Sequence, residues 1–316
     1  MLRYVLKRLL MMIPVLIGVS LIIFCISGTN TDVIVLQILG SDATDEQIAA
    51  VEHELEFDKP VIVRYVKYMS GMLRGDLGRS HINKRDVWAT FIQMVPVTLR
   101  LSALSVLVSV MISLPLGILS AMKNGTLIDN GSMLLALIGL ATPNFWLGLM
   151  LIILFSNQLG WFPSGGVRNG IMSYILPAIT VGTGMTASLT RQTRSSMLDV
   201  IRADYLRTAR AKGVPERRVI LHHALRNALI PIIMVIGGQI AATLAGSALT
   251  ETVFAMPGVG RLIVTSVNNM DVNMITGCVT LKAMITATVM LLVDLLYAVV
   301  DPRIKAQFAG GGRKHG

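Results

Sequence analysis

The sequence predicts an all-α integral membrane protein with six transmembrane helices and both ends in the cytosol, and three observations carry that prediction. Hydrophobic residues make up 53% of the 316-residue chain and charged residues only 15%, a balance too apolar for a soluble domain of this length. Six apolar runs recur along it, each close to the length needed to cross a hydrocarbon core of about 30 Å. Seventeen of the 28 Lys and Arg residues lie on segments that this arrangement places inside, against one each, Arg168 and Arg261, in the two short outer loops. That is the positive-inside bias. It also accounts for the net charge of +10 without nucleic acid as a partner.

Residues 1–28 form the cytosolic N-terminal end and the first span. Arg3, Lys7 and Arg8 precede an apolar run from Leu9 to Ser27, and no small-x-small cleavage site follows it, so the run is expected to stay as a span. Residues 29–96 read as an extracytoplasmic excursion. Asp42 to Asp58 is acidic, and Thr44-Asp45-Glu46-Gln47 has the form of a capping box opening a short helix. Lys59 to Arg85 is basic, with Val61, Tyr65 and Tyr68 as an apolar stripe near Met72 and Leu73. The excursion is too short for a large core of its own and is expected to pack on the outer surface of the spans.

The second span is placed at residues 97–121, starting at Pro96 and kinked or broken near Pro115 and Gly117. The third runs over 131–155, where Pro143 is expected to kink the helix and Trp146 to pack. Trp161, Phe162 and Tyr174 suit an interfacial aromatic belt before the fourth span at 174–189. Within that span Gly182-Thr183-Gly184-Met185-Thr186-Ala187 matches a dinucleotide fingerprint in form. No strand precedes it, and small residues in a membrane helix serve close helix approach instead. The fifth span is placed at 231–249, the sixth at 277–300, and 301–316 is a cytosolic tail.

Residues 191–230 are the long polar interruption of the membrane part. Met197, Ile201, Tyr205 and Ala209 fall at i, i+4 spacing, with Arg194, Arg202, Arg207 and Arg210 on other faces, which predicts an amphipathic helix. Gly213 suits a position past the helix end where φ is positive, and Pro215 suits the first position of a new helix. The second helix carries Val219, Ile220, Ala224 and Leu225 and gives way to the fifth span at Pro231. A helix, an elbow and a second helix on the cytosolic side would present a stiff knuckle to a soluble partner. A basic loop held by the inner leaflet is the plainer reading of the same charges.

No phosphate loop or zinc-protease motif occurs, so the chain is not expected to hydrolyse ATP or to bind a metal. His222 and His223 are adjacent and expected to point apart on a helix. Cys25 and Cys278 lie far apart in apolar stretches and suggest no disulfide. Few ionisable groups fall inside spans. Lys282 and Asp294 are the main ones in span six, roughly 18 Å apart along a helix and unable to pair directly. No proton relay is visible, which points to energy supplied from outside the chain.

The wording of several stretches carries a resemblance. Tyr205-Leu206-Arg207-Thr208-Ala209-Arg210-Ala211-Lys212-Gly213, with His223-Ala224-Leu225-Arg226-Asn227-Ala228-Leu229-Ile230-Pro231, resembles the coupling segment of ABC importer permeases, and more narrowly the dipeptide, oligopeptide and nickel group. Arg207-Thr208-Ala209 stands where the general pattern has Glu-Ala-Ala. Leu73 to Ser80 and Thr142 to Gly148 are similar to other stretches of the same group, as is Glu251-Thr252-Val253-Phe254-Ala255-Met256-Pro257-Gly258-Val259-Gly260-Arg261, with Met256 in place of a tryptophan. Asn268 to Met274 departs from the group's usual Arg-Asp-Tyr-Pro, while Asp301-Pro302-Arg303 follows its manner.

The resemblance implies a type I ABC importer transmembrane domain over 97–300. It assigns ATPase coupling to Tyr205, Arg207, Thr208, Ala209, Lys212, Gly213, Pro215, Glu216, Arg226 and Asn227. It makes Glu251, Phe254, Pro257, Gly258, Gly260 and Arg261 an outer-loop signature. It implies a homologous second permease, two cytosolic ABC ATPases that hold ATP and Mg²⁺, and an extracytoplasmic solute-binding protein, in a bacterial inner membrane whose lipid surrounds the spans. No cofactor is expected on this chain. Peptide is the expected cargo; nickel or a metal chelate is the alternative within the group, and an ion-coupled carrier or channel and a structural scaffold are alternatives outside it.

Overall fold

A computed structural model of the protein describes residues 2–28, 31–40 and 43–300. The tail at 301–316, including Asp301-Pro302-Arg303, lies outside the described residues, as does Asp42. Among the described residues every element is helical, apart from one isolated antiparallel bridge between Arg79 and Asp86.

Helix α1 (Leu2–Ser27) is the first span. Three helices of the excursion follow, α2 (Thr31–Leu39), α3 (Asp45–Glu54) and α4 (Val61–Leu73). The capping box forms: the Gln47 N–H donates to Thr44 Oγ1 at 3.4 Å, and Gln47 Oε1 accepts from the Thr44 N–H at 3.0 Å. Helix α4 leans on α1 through Tyr65, whose hydroxyl meets Ser20 Oγ at 2.8 Å, while the Phe24 ring stands 5.6 Å from both Tyr65 and Tyr68. The excursion thus packs on the spans.

Between α3 and α4, Glu56 takes a left-handed φ of 59°. Lys59 and Lys67 pair with its carboxylate at 2.8 and 2.7 Å. The Lys59 hydrogen bond, then that of Lys67, lowers the carboxyl pKa from the ordinary 4.5 to about 2. Because the folded value is the lower one, this contribution is complete above pH 4.5 and is lost as the pH falls through about 2. A carbon-13 titration of the Glu56 carboxyl should show its midpoint near 2. An ordinary midpoint would mean that the two lysines do not hold this turn.

Helix α5 (Val87–Met122) begins ten residues before the expected 97 and runs unbroken through Pro96 and Pro115. Its start is set by Asp86, whose side chain accepts the Ala89 N–H at 2.8 Å, and by burial of Val87 and Phe91 against Val259, Met274 and Cys278. The third span is not one helix. Helices α6 (Leu127–Ala141) and α7 (Asn144–Leu151), the latter extended by a π-turn over Ile152–Gln158, meet at a 98° bend. Pro143, at the N-cap of α7, brings no N–H to continue α6 and restricts Thr142 to extended backbone, ψ 121°.

Helix α8 (Met172–Ile201) outruns the expected 174–189 by a dozen residues at its C-terminal end. It packs along α5 through small and hydroxylated residues: Thr180, Gly182, Thr186, Thr190 and Thr193 face a buried stripe of Ser102, Ser105, Ser109, Ser113 and Gly117. A Cβ on Gly182 would come within 2.9 Å of the Ser105 carbonyl, so close helix approach explains this stretch. Thr180, Thr186 and Thr193 each donate at 2.8 Å to the carbonyl four residues back.

Beyond α9 (Asp204–Ala211), the short α10 (Glu216–Arg218), a π-turn at Val219–Ala224 and α11 (Leu225–Gly246) make one continuous run from Glu216 to Gly246. Pro231 lies inside it and does not open the fifth span. Helices α12 (Ala248–Val253) and α13 (Val259–Asn268) form the segment before α14 (Val272–Val300), which starts before 277 because buried Asp271 accepts the Met274 N–H at 3.3 Å.

Among the described residues four helical runs can cross a membrane by length and apolarity, Arg8–Ser27, Val87–Met122, Glu216–Gly246 and Val272–Tyr297, and the bent pair is a fifth candidate. Helix α8 is long enough, but its Thr, Ser and Gly content keeps it below that apolarity. Asp294 pairs with Arg8 across α1 and α14 at 3.0 Å, and Lys282 lines a small chamber with Thr98, Leu244 and Val259.

Candidate functional site

Helix α8 stops at Ile201, Ala203 is extended, and α9 starts afresh at Asp204. The two-residue break resets the helical phase, so the continuous face of Met197, Ile201, Tyr205 and Ala209 is not what forms. Leu206 takes the inward place, fully buried, while Tyr205 is 44% exposed. Leu206 roots the elbow in a cluster with Met197, Leu189, Val219, Ile220, Ala224, Ala228 and Ala121. Burying a leucine is worth about 2 kcal/mol, enough to fix so short a helix against the spans.

The end of α9 is a Schellman motif. The Gly213 N–H donates to Arg210 O at 2.9 Å and the Val214 N–H to Ala209 O at 3.3 Å, with Gly213 at φ +76°. Pro215 sits at the N-cap of α10, one position earlier than expected, and its carbonyl accepts from the N–H groups of Arg218 and Val219. Arg210 clamps Glu216 across the elbow with two bonds of 3.1 and 2.9 Å, and this pairing holds the Arg210 guanidinium above its ordinary pKa. Tyr205 Oη accepts from Asn227 Nδ2 at 2.7 Å and donates to His223 O at 3.3 Å.

The fold therefore brings Tyr205 to Asn227, and Arg210 to Glu216. It leaves Arg207, Thr208, Lys212 and Arg226 on the exposed side and Ala209 half-buried behind them. His222 and His223 do not diverge: their rings meet edge to face at 5.2 Å. The arrangement offers a rigid, cationic knuckle with an apolar root. Its chemistry is that of a docking surface.

A second buried feature escaped the sequence reading. Asp129, 2% exposed, receives Arg194 Nε and Nη2 at 2.7 Å each, the Gly125 N–H at 2.9 Å and a short bond from Ser120. Arg194 also reaches Asn124 Oδ1 at 2.7 Å. This clamp ties the turn between α5 and α6 to α8, seven residues before that helix ends at Ile201. An acid in the first turn of an apolar helix, Asp129, was its only sequence signal.

At the other end of α5 the outer-loop signature closes around Glu251, a fully buried carboxylate. Thr98 donates to it at 2.8 Å, Ser247 at 2.9 Å and the Arg261 backbone N–H at 2.9 Å. It thereby caps α13, whose own N-cap, Gly258, has no side chain to do so. A Cβ on Gly258 would stand 2.4 Å from the Glu251 carboxyl, and one on Gly260 2.6 Å from Ala248 Cα. Phe254 is buried beside Met256, its carbonyl accepting from Gly166 at 2.8 Å, and Arg261 Nη1 donates to Ala255 O at 2.6 Å. Pro257 lies in the turn between α12 and α13.

A family model described as the binding-protein-dependent transport system inner membrane component matches residues 113–306, and the N-terminal model of the same system matches 1–102. The chain is 40% identical to the oligopeptide transport system permease protein AppB of Bacillus subtilis, over 96% of this chain and all of that protein. It is 38% identical to the dipeptide transport system permease protein DppB of Escherichia coli, over 96% and 99%. Among solved structures it resembles the inward-facing MetNI methionine ABC transporter, with a TM-score of 0.58 at 16% identity, over 67% of this chain and 96% of that one.

Proposed function

The chain belongs to the family of binding-protein-dependent transport system inner membrane components, and from that premise we propose that it is the permease subunit of an ATP-driven importer of di- and oligopeptides. Its fold is the type I ABC importer transmembrane domain, and it is a multi-pass protein of the bacterial inner membrane. The observation that carries the mechanism is the elbow, held by the Schellman turn and the Arg210–Glu216 clamp, rooted by Leu206 and cationic on its free side.

With α8 taken as a sixth span beside the five candidates, and with both ends in the cytosol, the knuckle faces a soluble partner. ATP and Mg²⁺ belong to two ATPase subunits, each able to seat one permease elbow. ATP binding favours one arrangement of those subunits, and the elbow passes the bias to α8 and α11 as a population shift between inward-open and outward-open states. A homologous second permease completes the pathway, and a solute-binding protein delivers cargo from outside. Peptide rather than nickel is favoured because the two relatives named above, similar over nearly the whole chain, carry peptide names.

Replacing residues 205–218 with a Gly/Ser linker should abolish co-purification of the ATPases while the permease remains in the membrane. Retained ATPase binding would sink the assignment. Uptake of labelled dipeptide should fall to background in cells lacking this subunit, with labelled nickel unaffected; loss of nickel uptake alone would reassign the cargo. Uptake that survives ATP depletion under an imposed ion gradient would instead support an ion-coupled carrier.

A further inference from the structure

A cleft of 460 Å³ opens between the α3–α4 turn, helix α4, the 74–81 loop and the first residues of α14, within the ~300–1,000 Å³ range of small-molecule sites. It lies at the Val87 end of α5, opposite the end where Ala121 packs with the elbow. The 74–81 loop is fixed to α14 by Asp271, which accepts a short bond from Ser80 and the His81 N–H at 3.3 Å, so both walls are held.

Most charges on these walls are committed. Glu56 is taken by Lys59 and Lys67, and Asp76 accepts the Gly78 N–H at 2.8 Å. Arg74 is exposed, and Arg64 is the buried exception. It is 9% exposed, its guanidinium stands 5.1 Å over the Phe57 ring, Nη2 makes one long bond of 3.5 Å to Gly28 O, and among the described residues Nε has no partner and no carboxylate pairs with it. A guanidinium carries five donors in a fork that fits a carboxylate, and a buried cation without a counter-ion is costly unless a ligand supplies one. Phe24, Leu55 and Leu77 give the cleft apolar walls, and Glu54 stands exposed at its rim.

We propose that this cleft receives a short zwitterionic peptide on the outer face of the permease, with the free C-terminal carboxylate on Arg64 and the amino group toward Glu54. The proposal rests on the peptide-importer reading above. It gives the excursion a task besides packing: a weak receiving site for cargo released beside the spans. Uncommitted donors deep in the cleft and an acid at its rim match the two ends of such a ligand, and the apolar walls accept its side chains.

The test uses the assembled transporter, both permeases with both ATPases, in nanodiscs without the solute-binding protein. Fluorine-labelled dialanine and its C-terminal amide are titrated by NMR. Saturable binding of the acid is expected, weakened about tenfold by amidation and about tenfold by Arg64→Gln, with Arg64→Lys between. Equal binding of acid and amide, or no saturable binding, overturns the proposal. The acid-to-amide comparison uses unaltered protein and stands even if Arg64→Gln misfolds. Acid and amide binding alike while Arg64→Gln loses docking of the solute-binding protein would assign Arg64 to an acidic side chain of that protein and overturn the peptide site. Dipeptide uptake into proteoliposomes by the complete system separates the two levels: no uptake defeats the importer reading, whereas uptake with indifferent binding defeats only the cleft.

Discussion

Glu251→Ala should remove most folded permease from the membrane. The carboxylate is the common acceptor for the Thr98 hydroxyl on α5, the Ser247 hydroxyl at the start of α12 and the Arg261 N–H in the first turn of α13. Truncation leaves three buried donors with no acceptor and uncaps α13, a loss of roughly 3–5 kcal/mol. Domains are stable by only about 5–15 kcal/mol, so this is a large fraction. Thermal challenge followed by size-exclusion chromatography in detergent should show an early loss of the monodisperse peak. Glu251→Gln should sit between, because its amide oxygen still accepts while its NH₂ opposes one donor. Gly258→Ala should come close to the alanine variant, since its Cβ must displace the carboxylate 2.4 Å away. A Glu251→Ala protein that melts like the unaltered one would show that these bonds do not hold the outer segment.

The second large effect is at the inner clamp. Asp129→Ala leaves the half-buried Arg194 with Asn124 Oδ1 as an acceptor and orphans the Ser120 hydroxyl and the Gly125 N–H, a loss of about 2–3 kcal/mol. The double variant Asp129→Leu with Arg194→Leu removes both charges and should regain much of that loss. The same melting assay reads the cycle. If the single and double variants are equally damaged, the pair is not a coupled unit and Asp129 acts through its bonds to the turn alone.

The apolar runs and the elbow glycine were readable from the chain, because each is a local pattern, whereas the stretch from Glu251 to Arg261 stood out by resemblance alone. Helix starts were less so. Pro96 looks like an N-terminus, yet Asp86 caps α5 and burial of Val87 and Phe91 extends it ten residues earlier. The i, i+4 face through Tyr205 was sound as periodicity but assumed one helix, and the extended backbone at Ala203 shifts the phase to Leu206. Long-range polar partners had no local signature: Thr98 and Glu251 are 153 residues apart, and Arg194 and Asp129 are 65 apart. Small and hydroxylated residues make α8, the centre of the packing, the least apolar of the long helices, and the apolar run marks only its first part, ending at 189 where the helix continues to Ile201.

Helix α5 joins these two polar hubs in a single rod. Its 36 residues at ~1.5 Å each give about 54 Å, with Thr98 bound to the Glu251 hub and Ser120 to the Asp129 clamp beside the elbow. A rod gripped at Thr98, eleven residues in from one end, and at Ser120, two from the other, acts as a lever. A tilt of about 5° around the midpoint of the ~33 Å between those grips moves each by about 1.4 Å in opposite senses, comparable to the helix shifts that switch packed interfaces. A push delivered at the knuckle would thus be felt at the outer mouth without any part of α5 unfolding, and its two embedded prolines mark where stiffness could be tuned.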